Sequence, residues 1–464
     1  MSGVHPLDPT PDQMRAMGEE AVGFVADFIA GLDEAPAVNV DRAMDVAREL
    51  RATPPEEGGD FRVALEEFAA AALNGFEPAG PGYLAFVPGG GVFSSTLADF
   101  LAKGVNRFPN LWETAPGIVQ IEVNVIRWIC DLFEYPEAAR GILTTGGSTA
   151  NLSAIVAARR AKLPENFLEG TYYVSEQVHA SVPKAAAIAG FSKRNLRKVA
   201  TDGDLRMDAD ALREQVRADR AAGMRPFLVV PNAGSTNTGA IDPLGDIADV
   251  SAEEGLWMHA DAAYGGFFQL TERGRERLRG IDRADSITLD PHKGMFLPYG
   301  IGSLVVRDGA ALRAAHYSGA DYLQDVSSEG ELPNFAEYSI ELSRDFRGLR
   351  VWLPLKLHGV RAFRELLDEK LDLAQHLFDA LSADPTLEVP WRPQLTVVPF
   401  RLQSGDDDAN RRLLDQINAS RRVFCSSTVL DGRFTIRACI LNHRTHRDRI
   451  DEAIEIIGKA VREA

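Results

Sequence analysis

LWMHADAAYGG (256–266) and SITLDPHKG (286–294) each set a short apolar run against a charged residue, Asp261 in the first and Lys293 in the second. Apolar runs of four to six residues bounded by Gly, Pro and Asp read as buried strands rather than helices. Similar runs occur at 172–175, 227–231 and 301–307, with helical patterns between them. Such alternation builds a sheet of many parallel strands covered by helices, an α/β fold. The carboxyl ends of parallel strands line the ligand crevice, so Asp261 and Lys293 can converge there. Taken singly, each has a blander reading: a lysine after a strand is commonly solvated, and an aspartate commonly caps a turn or helix.

Upstream, Thr145-Gly-Gly147-Ser148-Thr149-Ala-Asn151 leads into a helical pattern at 152–162. The glycines permit close backbone approach. Free N–H groups at a helix start, with the Ser148 and Thr149 hydroxyls, form an anion pocket that suits a phosphate. The spacing matches neither the P-loop nor G-x-G-x-x-G, which weakens a nucleotide reading. The same segment also reads as a helix cap without a ligand.

Further out, helical patterns at 14–29 and 61–73 flank a Pro/Gly-rich piece at 53–59. A Gly/Pro-rich stretch at 78–91 follows, then apolar residues at spacings of three and four over 118–133, an amphipathic helix. A long helical region from 349 to about 382, strand-like runs at 395–402 and 434–441 and a helix at 449–464 complete the chain. The expected organisation is a helical N-terminal arm (1–85), a large α/β domain (86–350) and a small α+β domain (351–464).

With 50 Lys+Arg against 67 Asp+Glu the 464-residue chain carries a formal charge of −17, which argues against nucleic acid or an anionic membrane surface as the main partner. Three cysteines without a C-x-x-C pair suggest neither a disulfide framework nor a cysteine zinc site. His443 and His446 are three apart, but Arg444 and Arg447 flank them and no third metal ligand is evident. No long apolar run or export signal stands out, so the expected compartment is the cytoplasm.

A phosphate cradle, an acid after one strand and a lysine after a later one together supply what pyridoxal phosphate needs. The lysine forms a Schiff base, and the carboxylate keeps the pyridine nitrogen protonated so that the ring accepts electrons from a bond broken at the substrate Cα. His179, in SEQVHASVPKA, adds an imidazole to stack over the ring. With GYLAFVP, TGGSTANL and DFRGLRVW in the same order, the chain resembles the group II pyridoxal-phosphate-dependent amino-acid decarboxylases, which include the aromatic-amino-acid and glutamate decarboxylases. The resemblance runs from about residue 8 to the C-terminus.

It implies a type I aminotransferase-like fold, a homodimer with active sites at the subunit interface, and α-decarboxylation of an L-amino acid to an amine. Position by position it makes Lys293 the Schiff-base lysine, Asp261 the pyridine-nitrogen partner and His179 the stacking base. Gly147 and Ser148 match the phosphate turn and His292 a further phosphate or substrate contact; Thr236 and Ala263 pack against the cofactor. Pro88, Phe108 and Asn110 match substrate-contacting positions. In the small domain, Arg437 reads as a contact for the substrate carboxylate or as an inter-domain salt bridge.

The pattern departs in three places. Where the aromatic decarboxylases carry a proton-donating loop tyrosine, the matching residue is Phe335, which resembles a switch towards oxygen-consuming aldehyde synthesis; Tyr338, Tyr322 and His179 are alternative donors. Asn110 replaces an apolar wall and invites a polar contact, while Gly89 lacks a hydroxyl. Asp290 and Gly294 stand where many relatives have Asn and Trp. A cofactor-binding protein without catalysis is the third reading, opposed by the joint presence of Lys293, Asp261 and His179.

Overall fold

Seven strands form the central sheet of the computed structural model, which describes residues 7–317 and 332–463. They are β1 (Arg140–Thr144), β2 (Gly170–Ser175), β3 (Leu196–Val199), β4 (Arg225–Val230), β5 (Trp257–Asp261), β6 (Ser286–Leu289) and β7 (Gly302–Val306). Their order is β1-β7-β6-β5-β4-β2-β3. Only β7 runs against its neighbours; β3, β2, β4, β5 and β6 pair in parallel, with Asp261 level with Thr288 across the β5–β6 ladder. Every residue of β2, β5, β6 and β7 is buried, as expected of strands covered on both faces. β3 is the exception: LRKV keeps two charges at a half-exposed edge, which is why its sequence does not read as a strand.

Among the helices of the described residues are α1 (Pro11–Gly31) and α2 (Phe61–Ala72) in the N-terminal segment, and α3 (Phe93–Val105), α4 (Pro116–Leu132), α5 (Gly147–Lys162) and α6 (Gly348–Ser382). α5 crosses β4 to β7 and buries its alanine-rich side against them, so its first turn sits over the strand ends. α6 packs its first part on α3 and α4, breaks at Gly359 (φ 70°) and continues into a second apolar cluster. There it meets a four-stranded antiparallel sheet, β8 (Leu387–Glu388), β9 (Val397–Leu402), β10 (Ser426–Leu430) and β11 (Arg433–Cys439), in the order β8-β9-β11-β10. The three cysteines are free and buried.

The N-terminal segment is bound loosely. α1 buries no residue and touches α2 through Phe24 on Phe68 (5.8 Å between ring centroids). Phe93, Leu97, Phe100, Leu101 and Val105 leave one face of α3 exposed. No helix among the described residues is long and apolar enough to cross a membrane.

Candidate active site

A cavity of about 280 Å³ opens at the carboxyl ends of the parallel strands, the crevice position of α/β sheets. Of the residues picked out in the sequence, Gly147, Ser148, His179, Thr236, Asp261, Ala263, His292 and Lys293 line it, together with Asn151, Ser181 and Asp290. β5 ends on Asp261 and β6 ends just before Asp290, whose loop starts the short turn Pro291–Gly294 that carries Lys293.

Asp261 is nearly buried and both its oxygens are engaged: the Ala263 N–H donates to Oδ1 at 3.2 Å and Asn151 Nδ2 to Oδ2 at 3.1 Å. These bonds fix the plane of the carboxylate. Lys293 Nζ lies 2.9 Å from Asp290 Oδ2, and the other Asp290 oxygen is buried without a hydrogen-bond partner. His292 donates from Nδ1 to the Ile301 carbonyl, which turns Nε2 towards Asp290 at 3.7 Å. Burial, more than the opposing charge of Asp290, pushes the His292 imidazole below its ordinary range.

The start of α5 forms the wall of the cavity. Thr149 and Ala150 N–H close onto the Gly146 carbonyl (3.1 and 3.2 Å), and no side chain caps the helix, so the amides of Gly147 and Ser148 remain for a ligand. A Cβ on Gly147 would stand 3.1 Å from Asp290 Oδ2 and 3.3 Å from the Ala263 methyl, filling the hollow. Free helix-start amides, an oriented carboxylate and a lysine around one hollow suit a phosphorylated pyridine aldehyde: the amides match its phosphate, Asp261 its ring nitrogen and Lys293 its aldehyde. Arg437, nearly buried in β11, donates to the backbone carbonyls of Thr236 (2.7 Å) and Asn237 (3.2 Å), so it ties the small sheet to the cavity floor and is neither a salt bridge nor free for a substrate.

Phe335, Tyr338, Asn110, Phe108 and Pro88 do not line this cavity. Phe335 is 1% exposed, with the Arg344 guanidinium 5.0 Å above its ring, and it shares a separate apolar hollow with Tyr338, Val123 and Ile126. Within one chain the Phe335 ring packs under this cation and is not among the residues around Lys293. Tyr322 lies outside the described residues. Asn110 is fully buried, but it faces protein: its side-chain amide donates to the Leu342 carbonyl and its backbone carbonyl accepts from the Ala336 N–H, clamping the segment that holds Phe335. Phe108 is largely exposed. Pro88 precedes Gly89, whose Cβ position is only 2.6 Å from the His292 carbonyl, so this turn packs on the backbone next to Lys293, and Pro88 does not line the cavity.

Asn151 and Ser181 do not stand out in the sequence, since polar residues at helix starts look like caps. Yet Asn151 bonds Asp261 and Ser181 bonds His179.

The comparisons agree with this geometry. Residues 55–403 match the family model of the pyridoxal-dependent decarboxylase conserved domain. The aromatic-L-amino-acid decarboxylase of Bacillus atrophaeus is 37% identical over 98% of this chain and 96% of its own. The phenylacetaldehyde synthase of Arabidopsis thaliana is 28% identical over 97% and 96%. The crystal structure of Oryza sativa TDC with PLP (pyridoxal phosphate) and tryptamine superposes with a TM-score of 0.93 at 28% identity, covering 99% of both chains. The fold is that of these decarboxylases, and the chain belongs to the pyridoxal-dependent decarboxylase family as a pyridoxal-phosphate-dependent carboxy-lyase.

Proposed function

We propose that the protein removes the α-carboxylate of an aromatic L-amino acid and releases the corresponding amine and CO2. The observation that carries the decarboxylase chemistry is the convergence of Lys293, Asp261, His179 and the Gly147–Ser148 amides on one cavity. Its aromatic preference is supported by the Bacillus relative, similar along its whole length.

Pyridoxal phosphate, when bound, supplies the electron sink that accepts the bonding pair left as CO2 departs. The protein's part is to hold and orient. The Gly147 and Ser148 N–H groups would hold the phosphate, with the positive end of α5 behind them. Asp261, immobilised by Ala263 and Asn151, would keep a proton on the ring nitrogen. Lys293 is the amine that would hold the aldehyde, and Asp290, 2.9 Å from its Nζ, would receive its ammonium whenever it is free. His179 presents its ring to the substrate side. Cα takes up one proton in place of CO2, and the amine leaves.

The aldehyde outcome differs in stoichiometry: each substrate would consume one O2 and one water and yield aldehyde, CO2, ammonia and hydrogen peroxide. Phe335 motivated that reading, and its burial away from Lys293 favours the amine. Mass spectrometry of products from the cofactor-loaded protein with each common L-amino acid, with and without oxygen, tests the proposal. An aromatic amine formed at equal rate in both supports it; an aldehyde that appears only with oxygen, or an amine from a non-aromatic substrate alone, overturns it. Lys293→Ala should abolish steady turnover.

The exposed face of α3 and the unburied α1 fit a second copy of this chain as their cover. Light scattering of the eluted protein should give twice the 50.6 kDa chain mass.

A further inference from the structure

Asp261 and His179 sit at different strand ends, yet one buried amide joins them. Asn151, in the first turns of α5, donates from Nδ2 to Asp261 Oδ2 at 3.1 Å and to Ser181 Oγ at 3.0 Å, and Ser181 Oγ lies 2.8 Å from His179 Nδ1. Asn151 Oδ1 lies 3.0 Å from His259 Nε2. His259 Nδ1 lies 2.8 Å from Ser286 Oγ, to which Trp257 Nε1 donates at 2.8 Å.

The two ends dictate the protons between them. A carboxylate only accepts, so Asn151 turns its NH2 to Asp261 and its carbonyl to His259. His259 then carries its proton on Nε2. Its Nδ1 accepts from the Ser286 hydroxyl, whose oxygen already takes the indole N–H. Burial, opposed by the nearby Asp261 charge, pushes His259 down to about 4 and keeps it neutral. On the other arm, the second Asn151 N–H occupies a lone pair of Ser181, which directs the Ser181 hydroxyl proton to His179 Nδ1. The Ser181 backbone N–H points at the same nitrogen from 3.2 Å. With two donors on Nδ1, the His179 proton belongs on Nε2.

We propose that Asn151 and Ser181 are positioning residues that lock His179 as its Nε2–H tautomer, so that the N–H it presents to the substrate is set by the same amide that orients Asp261. The functional half of this inference rests on the decarboxylase reading above; the tautomer does not.

The test uses cofactor-loaded protein labelled with 15N-histidine, the His179 signals being assigned by their loss in His179→Gln. Wild type should show the pair of nitrogen shifts of a neutral Nε2–H imidazole at His179. Ser181→Ala leaves the backbone N–H as the one remaining donor to Nδ1, so the His179 nitrogen shifts should move part of the way towards a tautomer mixture and kcat should fall about tenfold or more with KM within threefold, while cofactor affinity, measured by equilibrium dialysis, stays within threefold. Ser181→Thr, which keeps the hydroxyl, should restore both the shifts and kcat. Asn151→Leu should alter the His259 and His179 shifts together and weaken cofactor binding by tenfold or more. An Nδ1–H tautomer in wild type, or His179 shifts unchanged in Ser181→Ala, overturns the relay. Shifts as expected with an unchanged kcat overturn its catalytic part. Absence of any amine product in wild type with the expected shifts defeats the decarboxylase reading and leaves the relay standing.

Discussion

Glu122 and Arg344 form an ion pair in which both side chains are fully buried, and its energetics can be worked through in a closed cycle. The carboxylate of Glu122, on α4, lies 2.5 Å from Arg344 Nη2 and accepts the Gly348 N–H at 3.2 Å. Arg344 also donates to the Leu143 carbonyl at 2.8 Å, near the end of β1 and just before the Thr145–Thr149 turn, and covers Phe335. Replacing Glu122 by Leu strands a buried guanidinium, about 3–5 kcal/mol, of which the Phe335 face already offsets about 1 kcal/mol. Arg344→Met strands the carboxylate at a similar cost, about 3–5 kcal/mol. The double variant buries no charge and leaves one unmet backbone group, the Gly348 N–H, since the Leu143 carbonyl keeps its bond from Arg347, at about 1–3 kcal/mol. It should therefore be no less stable than either single variant, and a coupling of about 3 kcal/mol or more should separate it from their sum. Urea unfolding followed by tryptophan fluorescence measures this, at one fixed excess of pyridoxal phosphate because cofactor binding itself stabilises the fold. A double variant whose loss equals the sum of the singles refutes the claim that the pair acts as a unit.

Other outcomes concern the cavity and its surroundings. Gly147→Val fills the hollow between Asp290 and Ala263, where a Cβ alone already comes within 3.1 Å of a carboxylate oxygen, and should weaken cofactor affinity at least tenfold in equilibrium dialysis with little change in unfolding midpoint. His259 is depressed to about 4 in the fold against about 6.5 unfolded, so its contribution is complete above pH 6.5 and is lost as pH falls towards 4, on the order of 3 kcal/mol. His259→Asn should flatten that part of the stability profile measured by urea unfolding at successive pH values. Phe335→Tyr places a hydroxyl at a site 1% exposed and should lower the thermal midpoint by a few degrees, at about 1–3 kcal/mol, while leaving the amine-to-aldehyde ratio unchanged.

The strands that matter most are readable because burial on both faces writes them as short, mostly apolar runs closed by a charge; β5 ends on Asp261, and Asp290 follows β6 three residues before Lys293. β3 is not, since LRKV at the sheet edge carries the charges of a surface segment. For Phe335 and Asn110 the motif register gives a chain position but not a side-chain direction: one lies under Arg344 and the other clamps Leu342. Asn151 and Ser181 stay hidden for a third reason. Their partners Asp261 and His179 are not set by any local pattern, and only the packing of α5 across the sheet brings an ordinary helix-start amide against both arms.

The burial of the three thiols gives the molecule two internal timers. Cys130 belongs to the core around the large sheet and Cys425 to the core behind the small one, and burial raises them to about 11 and about 12, so neither meets an alkylating reagent as a thiolate until its surroundings open. The order in which the two acquire label during slow unfolding reports which core yields first, residue by residue, without a probe being built into the chain.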